Sequence, residues 1–198
     1  MNVTETTIPG VLLLEPKIYE DARGHFFESF NHAAFERVLG EPVRFVQDNQ
    51  SFSRAHVLRG LHYQIDNPQG KLVRAVSGAI WDVAVDIRPD SPTFGTWVAY
   101  ELSAANRRQL WVPADLAHGF LVLSDSAEVL YKTTDYYSPP GERCIVWNDA
   151  DLAIAWPLTG APVVSGKDQE SMSFAEAAPR QADRGDSLAG QPRASGPV

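Results

Sequence analysis

The 198-residue chain has one cysteine, two methionines and a shortage of positive charge, 17 Lys and Arg against 25 Asp and Glu. With Cys144 alone, no disulfide can form within the chain and no cysteine-rich metal site can be built. A net charge of −8 excludes a general nucleic-acid surface, because phosphate binding draws on an excess of Lys and Arg. It leaves room for a local basic pocket. No apolar run reaches the length of a membrane helix. Met1 to Gly10 lacks both the basic and the apolar segments of a signal peptide. These absences point to a cytoplasmic protein, and the length suits a single domain with a proper core. No internal repeat is present.

What the chain does contain is a series of short strand-like runs. They are Val11 to Leu14, His25 to Phe30, Val43 to Phe52, Val57 to Gln64, Lys71 to Val76, Ala79 to Ile87, Thr96 to Leu102, Gln109 to Val112, His118 to Leu123 and Glu128 to Asp135. Turn residues separate them, as at Asn67-Pro68-Gln69-Gly70 and Ser138-Pro139-Pro140-Gly141. One body helix is expected, from Asn31 to Leu39, with Asn31 as N-cap and Gly40 as its stop. This pattern predicts a mainly β protein with a few short helices, a jelly-roll barrel or sandwich. Residues 1–168 read as that domain. Residues 169–198, rich in Ala, Ser, Pro and Gly, read as an extension that is mobile from about Ala177, with Met172 and Phe174 available to dock.

Along Ala79 to Ile87, Trp81, Val83, Val85 and Ile87 alternate with Asp82, Ala84 and Asp86. Asp86 reads as facing solvent; for Asp82, solvent and a barrel interior are both open. The run Leu58-Arg59-Gly60-Leu61-His62-Tyr63-Gln64, followed by Lys71, sets an arginine, an imidazole and an amine in an apolar, strand-forming context. Buried polar groups of this kind need a partner or a use. His62 and Gln64 share a face, whereas Arg59 joins them only if a bulge at Gly60 resets the alternation. A lone strand histidine is more often a hydrogen-bonded core residue than a functional one.

In Pro113-Ala114-Asp115-Leu116-Ala117-His118-Gly119-Phe120 a proline precedes a strand histidine by five residues. This resembles the second motif of the cupin superfamily. Metal-binding cupins carry a His-x-His in the first motif, and here that position reads His62-Tyr63-Gln64. A site of His62, Gln64 and His118 would hold a divalent metal poorly, so none is expected. Tyr131 adds a phenol on a strand, and Lys167-Asp168 is either a polar terminus or a source of a carboxylate for a histidine ring, the arrangement that suits a base.

The chain resembles the dTDP-4-dehydrorhamnose 3,5-epimerases over about residues 6–168. The resemblance rests on Asp21-Ala22-Arg23-Gly24, Phe26-Phe27-Glu28-Ser29, Gln47-Asp48-Asn49, Leu58-Arg59-Gly60-Leu61-His62-Tyr63-Gln64, Gln69-Gly70-Lys71, Ala117-His118-Gly119-Phe120, Tyr131-Lys132, Asp135-Tyr136-Tyr137-Ser138-Pro139 and Lys167-Asp168. It implies a dTDP-4-keto-6-deoxyhexose substrate and inversion of carbons 3 and 5, with neither metal nor organic cofactor. It implies His62 paired with Asp168 as base, Lys71 with His118 at the enolate oxygen, and Tyr131 as the acid on the opposite face. Arg59 would bind diphosphate, Tyr137 would pack on base or sugar, and Glu142 would hydrogen-bond nearby. Arg23, Phe26, Glu28, Gln47 and Asn49 would complete the site, in part across a homodimer interface, with no nucleic acid or membrane partner. Three alternatives stay open: a relative that inverts only carbon 3 or carbon 5, a metal-dependent cupin enzyme, and a non-catalytic sugar-nucleotide binder.

Overall fold

The computed structural model describes residues 1–177. Of the extension expected at 169–198, residues 178–198 lie outside the described residues. Two sheets face each other, as the sequence pattern predicts. The larger has six strands in the order β1 (Asn2–Glu5), β2 (Leu12–Glu15), β10 (Gln109–Val112), β7 (Lys71–Ser77), β12 (Ser126–Thr133) and β5 (Gln47–Arg54). The smaller runs β13 (Glu142–Cys144), β6 (Leu58–Gln64), β11 (Leu116–Val122), β8 (Ala79–Asp86) and β9 (Trp97–Ser103). A separate hairpin, β3 (Tyr19–Asp21) with β4 (Gly24–Phe26), pairs with neither sheet. The fold is a cupin-like jelly roll. No helix among the described residues is long and apolar enough to cross a membrane.

Alternation of side chains along each strand sorts the molecule into three apolar layers. Val73, Leu110 and Val129 of the large sheet meet Ile80, Ala84, Leu116 and Phe120 of the small sheet in the central core. Outside the large sheet, helix α1 (His32–Leu39) lays Phe35 against Trp111, with Phe30 and Phe45 beside it. Its caps are as expected: Asn31 accepts from the Ala34 N–H, and Gly40 ends it at φ +75°. Outside the small sheet, Leu61, Val83 and Val85 are covered by Ile145, Leu152, Trp156, Met172 and Phe174.

That outer cover corrects the reading of Asp86. Because Trp81, Val83 and Val85 pack under the C-terminal segment, Asp82 and Asp86 turn inward, and both are fully buried. Asp86 is held by Arg88, Ser91 and Thr93. Ala177, expected to begin the mobile tail, is itself buried against this layer. The run His25 to Phe30 is strand only as far as Phe26, and Val43 to Phe52 is strand only from Gln47. Strands β1, β3 and β13 and the one-turn helix α2 (Gly166–Gln169) are short and polar, and carry no apolar period by which to read them.

Candidate active site

One end of the barrel interior is polar and opens as a cavity of about 240 Å³, lined by residues of both sheets. The small sheet contributes Arg59, His62, Gln64 and His118; the large sheet contributes Ser51, Lys71 and Tyr131. Arg59 and His62 share it because β6 carries one extra residue. His62 pairs with His118 but Arg59 pairs with Phe120, three positions against two. Gly60 is required there: its φ is +117°, and a Cβ would sit 2.6 Å from Gly119 Cα and 2.8 Å from the His118 carbonyl. The expected bulge is therefore present.

Gly60 also donates its N–H to Asp168 Oδ2 at 3.2 Å, while Asp168 Oδ1 lies 2.8 Å from His62 Nε2. Asp168 reaches this point from α2, where Ser165 accepts its backbone N–H. Burial pushes the Asp168 carboxyl up, but the His62 hydrogen bond and charge outweigh it and hold the group below the usual range. An ionised Asp168 accepts the Nε2 proton and leaves Nδ1 of His62 as the basic nitrogen. The Cys144 thiol lies behind this pair, 3.8 Å from Asp168 Oδ1, and burial pushes it up to about 12. Donor atoms of His62, Cys144 and Asp168 fall within 4.8 Å of one another. At 2.8 Å, His62 and Asp168 are joined directly by a charge-assisted hydrogen bond.

A second pair, absent from the sequence reading, links His118 Nε2 to the fully buried Asp82 Oδ1 at 2.9 Å. The inward parity of Asp82 was its only sequence signal. Lys71 is 7% exposed and makes no hydrogen bond from its ammonium among the described residues. Burial brings it down to about 8, with the Asp82 and Glu142 charges opposing the shift. On β12, Tyr131 sits opposite Asn49 of β5. Burial raises its phenol above the ordinary value, Arg59 opposing, so it stays protonated at neutral pH.

Gln64, standing where a metal cupin has its second histidine, is not free to ligate. Its amide nitrogen donates to the carbonyls of Asp66, Asn67 and Tyr136, and its oxygen accepts from the Ser138 N–H at 2.9 Å. These bonds bracket Tyr137, whose own N–H goes to Gln47 and whose hydroxyl donates to Glu142 Oε2 at 2.6 Å. Lys167, not among the expected site residues, ion-pairs with the same carboxylate oxygen. Arg59 is anchored through Nε to Ser53 Oγ at 3.0 Å. Asn49 accepts from Gln47 on the inner face of β5.

Arg23, Phe26 and Glu28 are not brought to this cavity within the chain. Arg23 pairs with Asp21 on the detached hairpin, Phe26 is 68% exposed, and Glu28 accepts from Asn31 beside α1.

The arrangement places an Asp-oriented imidazole on one sheet and a protonated phenol on the other, with a buried ammonium and a second imidazole lining the same cavity. Comparison with known proteins identifies the family. The family model described as dTDP-4-dehydrorhamnose 3,5-epimerase matches residues 5–176. The chain is 59% identical over 177 residues to a dTDP-4-dehydrorhamnose 3,5-epimerase of Pseudomonas aeruginosa, covering 89% of this chain and 98% of the relative. Among solved structures, a dTDP-6-deoxy-D-glucose-3,5-epimerase of Legionella pneumophila in complex with dTDP-4-keto-L-rhamnose is 50% identical. It superposes with a TM-score of 0.86 over 89% of this chain and 96% of that one. A 3'-monoepimerase of Streptomyces bikiniensis in complex with dTDP-quinovose is similar at 33% identity, with a TM-score of 0.84 over 93% of this chain and 96% of that one.

Proposed function

The chain belongs to the dTDP-4-dehydrorhamnose 3,5-epimerase family, and we propose that it inverts carbons 3 and 5 of dTDP-4-dehydro-6-deoxy-D-glucose to give dTDP-4-dehydro-L-rhamnose. The observation that carries the reading is the meeting of the His62–Asp168 pair and Tyr131 from opposite sheets across one cavity. Both reacting carbons lie alpha to the carbon-4 ketone, so one base and one acid serve both. His62 takes the alpha proton on its basic ring nitrogen as Asp168 steadies the imidazolium. The electron pair moves onto the carbon-4 oxygen as an enolate, beside the Lys71 ammonium and His118. Tyr131 returns a proton from the other face, which inverts the centre. A well-placed acid or base contributes roughly 10²–10⁴-fold, and one enolate donor roughly 3–4 kcal/mol.

Arg59 takes the diphosphate, where a planar fork suits two oxygens. Tyr137, held at the rim by Gln64, Gln47 and Glu142, packs on the nucleotide, with Asn49 linked to it through Gln47. We assign Arg23, Phe26 and Glu28 to the site of a second copy in an isologous homodimer. The detached β3–β4 hairpin, with Phe26 and Tyr19 exposed, supports that assignment. Sedimentation should then give a dimer. Residues 1–177 hold every group used in this scheme, and a nucleotide-activated sugar fits a cytoplasmic enzyme. Inversion of one carbon alone would use the same residues, but identity of 59% to a 3,5-epimerase against 33% to a monoepimerase favours both. Turnover in D₂O followed by NMR tests this: deuterium at carbons 3 and 5 is expected, and label at only one of them overturns double inversion.

A further inference from the structure

The inner face of β5 carries Gln47, Asn49, Ser51 and Ser53 in alternation. Three of these are satisfied within the chain. Gln47 is bonded to Asn49 and receives the Tyr137 N–H, Asn49 accepts from Gln47, and Ser53 accepts from Arg59. Ser51 is the exception. Its hydroxyl oxygen is buried and has no hydrogen-bond partner among the described residues, although the residue lines the cavity. A buried hydroxyl left unpaired costs folding free energy, and alanine would fill the position without that cost.

The register says what a ligand presents there. Ser51 lies opposite Val129, one step along the same face from the Asn49–Tyr131 pair and one step the other way from Ser53, which anchors Arg59. If Tyr131 serves carbon 3 and Arg59 the diphosphate on carbon 1, the residue between them faces the carbon that joins the two. We infer that Ser51 is a substrate-binding residue that hydrogen-bonds the hydroxyl on carbon 2 of the hexose. The inference rests on the sugar-nucleotide reading given above. A neutral sugar hydroxyl, donor and acceptor at once, matches a serine hydroxyl on both counts. Rotation about χ1 turns Oγ into the cavity that the rest of the residue already lines.

The test is Ser51→Ala, assayed with the 4-keto sugar nucleotide, with its 2-deoxy analogue and with dTDP alone. The expected result is a kcat/KM lower by roughly three- to tenfold, dTDP binding within twofold, and a melting temperature equal to or above that of the wild type. With the 2-deoxy analogue, wild type and variant should be alike. An unchanged kcat/KM on the natural hexose overturns the contact. Equal weakening of dTDP overturns its assignment to the sugar. A lowered melting temperature together with lost activity makes the hydroxyl structural. Absence of turnover by the wild type itself would instead refute the underlying epimerase reading.

Discussion

Replacing Lys71 by methionine should make this protein more stable and much less active. Lys71 is 7% exposed, and burial takes its ammonium from the ordinary lysine value of 10.5 to about 8, against the pull of Asp82 and Glu142. That gap is worth about 3 kcal/mol, the cost of keeping the charge at neutral pH. A depressed lysine pKa means that between pH 8 and 10.5 the unfolded chain binds more protons than the folded one. Wild-type stability from this group therefore rises with pH through that window. Methionine keeps the apolar stem and removes the charge. At pH 7, Lys71→Met should gain up to about 3 kcal/mol, or about 6–12 °C in melting temperature. The advantage should shrink above pH 8 and vanish near pH 11. Meanwhile kcat should fall roughly 10²–10³-fold as the enolate loses its cation. Denaturant titration across pH 7–11, beside turnover assays, reads both. A variant less stable at pH 7, or a stability gap that does not depend on pH, refutes the reasoning.

Asp168→Asn puts an amide donor against Nε2 and so moves the ring proton to the nitrogen that must act as base. Solvent exchange at the substrate should drop roughly 10²–10⁴-fold, with dTDP binding unchanged; wild-type exchange would remove Asp168 from the pair. For Asp86, burial pushes the carboxyl up, but Arg88, Ser91 and Thr93 outweigh it and hold it at about 2 rather than 3.8. Its contribution of about 2 kcal/mol is present above pH 4 and is lost as the pH falls towards 2. Asp86→Asn should accordingly lose about 2 kcal/mol at pH 7, and its denaturation midpoint should converge with that of the wild type in acid; a constant gap would contradict this. Gln64→Glu sets a carboxylate against the carbonyls of Asp66, Asn67 and Tyr136. Calorimetry should find dTDP binding weakened roughly tenfold, about one lost hydrogen bond, with kcat at saturation within twofold; a fall in kcat at unchanged affinity would place Gln64 in the chemistry instead.

Local signals carried much of the fold. The Asn31 and Gly40 caps bounded α1, and β10 spans the four residues its apolar run marks, because those features depend on near neighbours. The Gly60 bulge was legible for the same reason, since Arg59 and His62 could share a pocket in no other way. What escaped depends on distant chain. Asp82 and Asp86 point inward only because Ile145, Leu152, Trp156 and Phe174, from the far C-terminal part of the described chain, cover the other face of β8. The His118–Asp82 pair and the unpaired Ser51 hydroxyl follow from that placement and from the inter-strand register. Lys167 was seen only as a neighbour of Asp168, and its ion pair with Glu142 needs the turn from β13 to α2. Gln64 was legible as the wrong residue for a metal, whereas its service to the Tyr137 loop was not.

The division of labour between the two sheets is tested most directly by separating proton removal from inversion. In D₂O, Tyr131→Phe should still exchange the substrate's alpha hydrogen through His62, returning labelled starting material with its configuration kept and little inverted product. In the same solvent His62→Ala should give neither exchange nor inversion. Inverted product at the wild-type rate from Tyr131→Phe, or undiminished exchange by His62→Ala, would contradict the account.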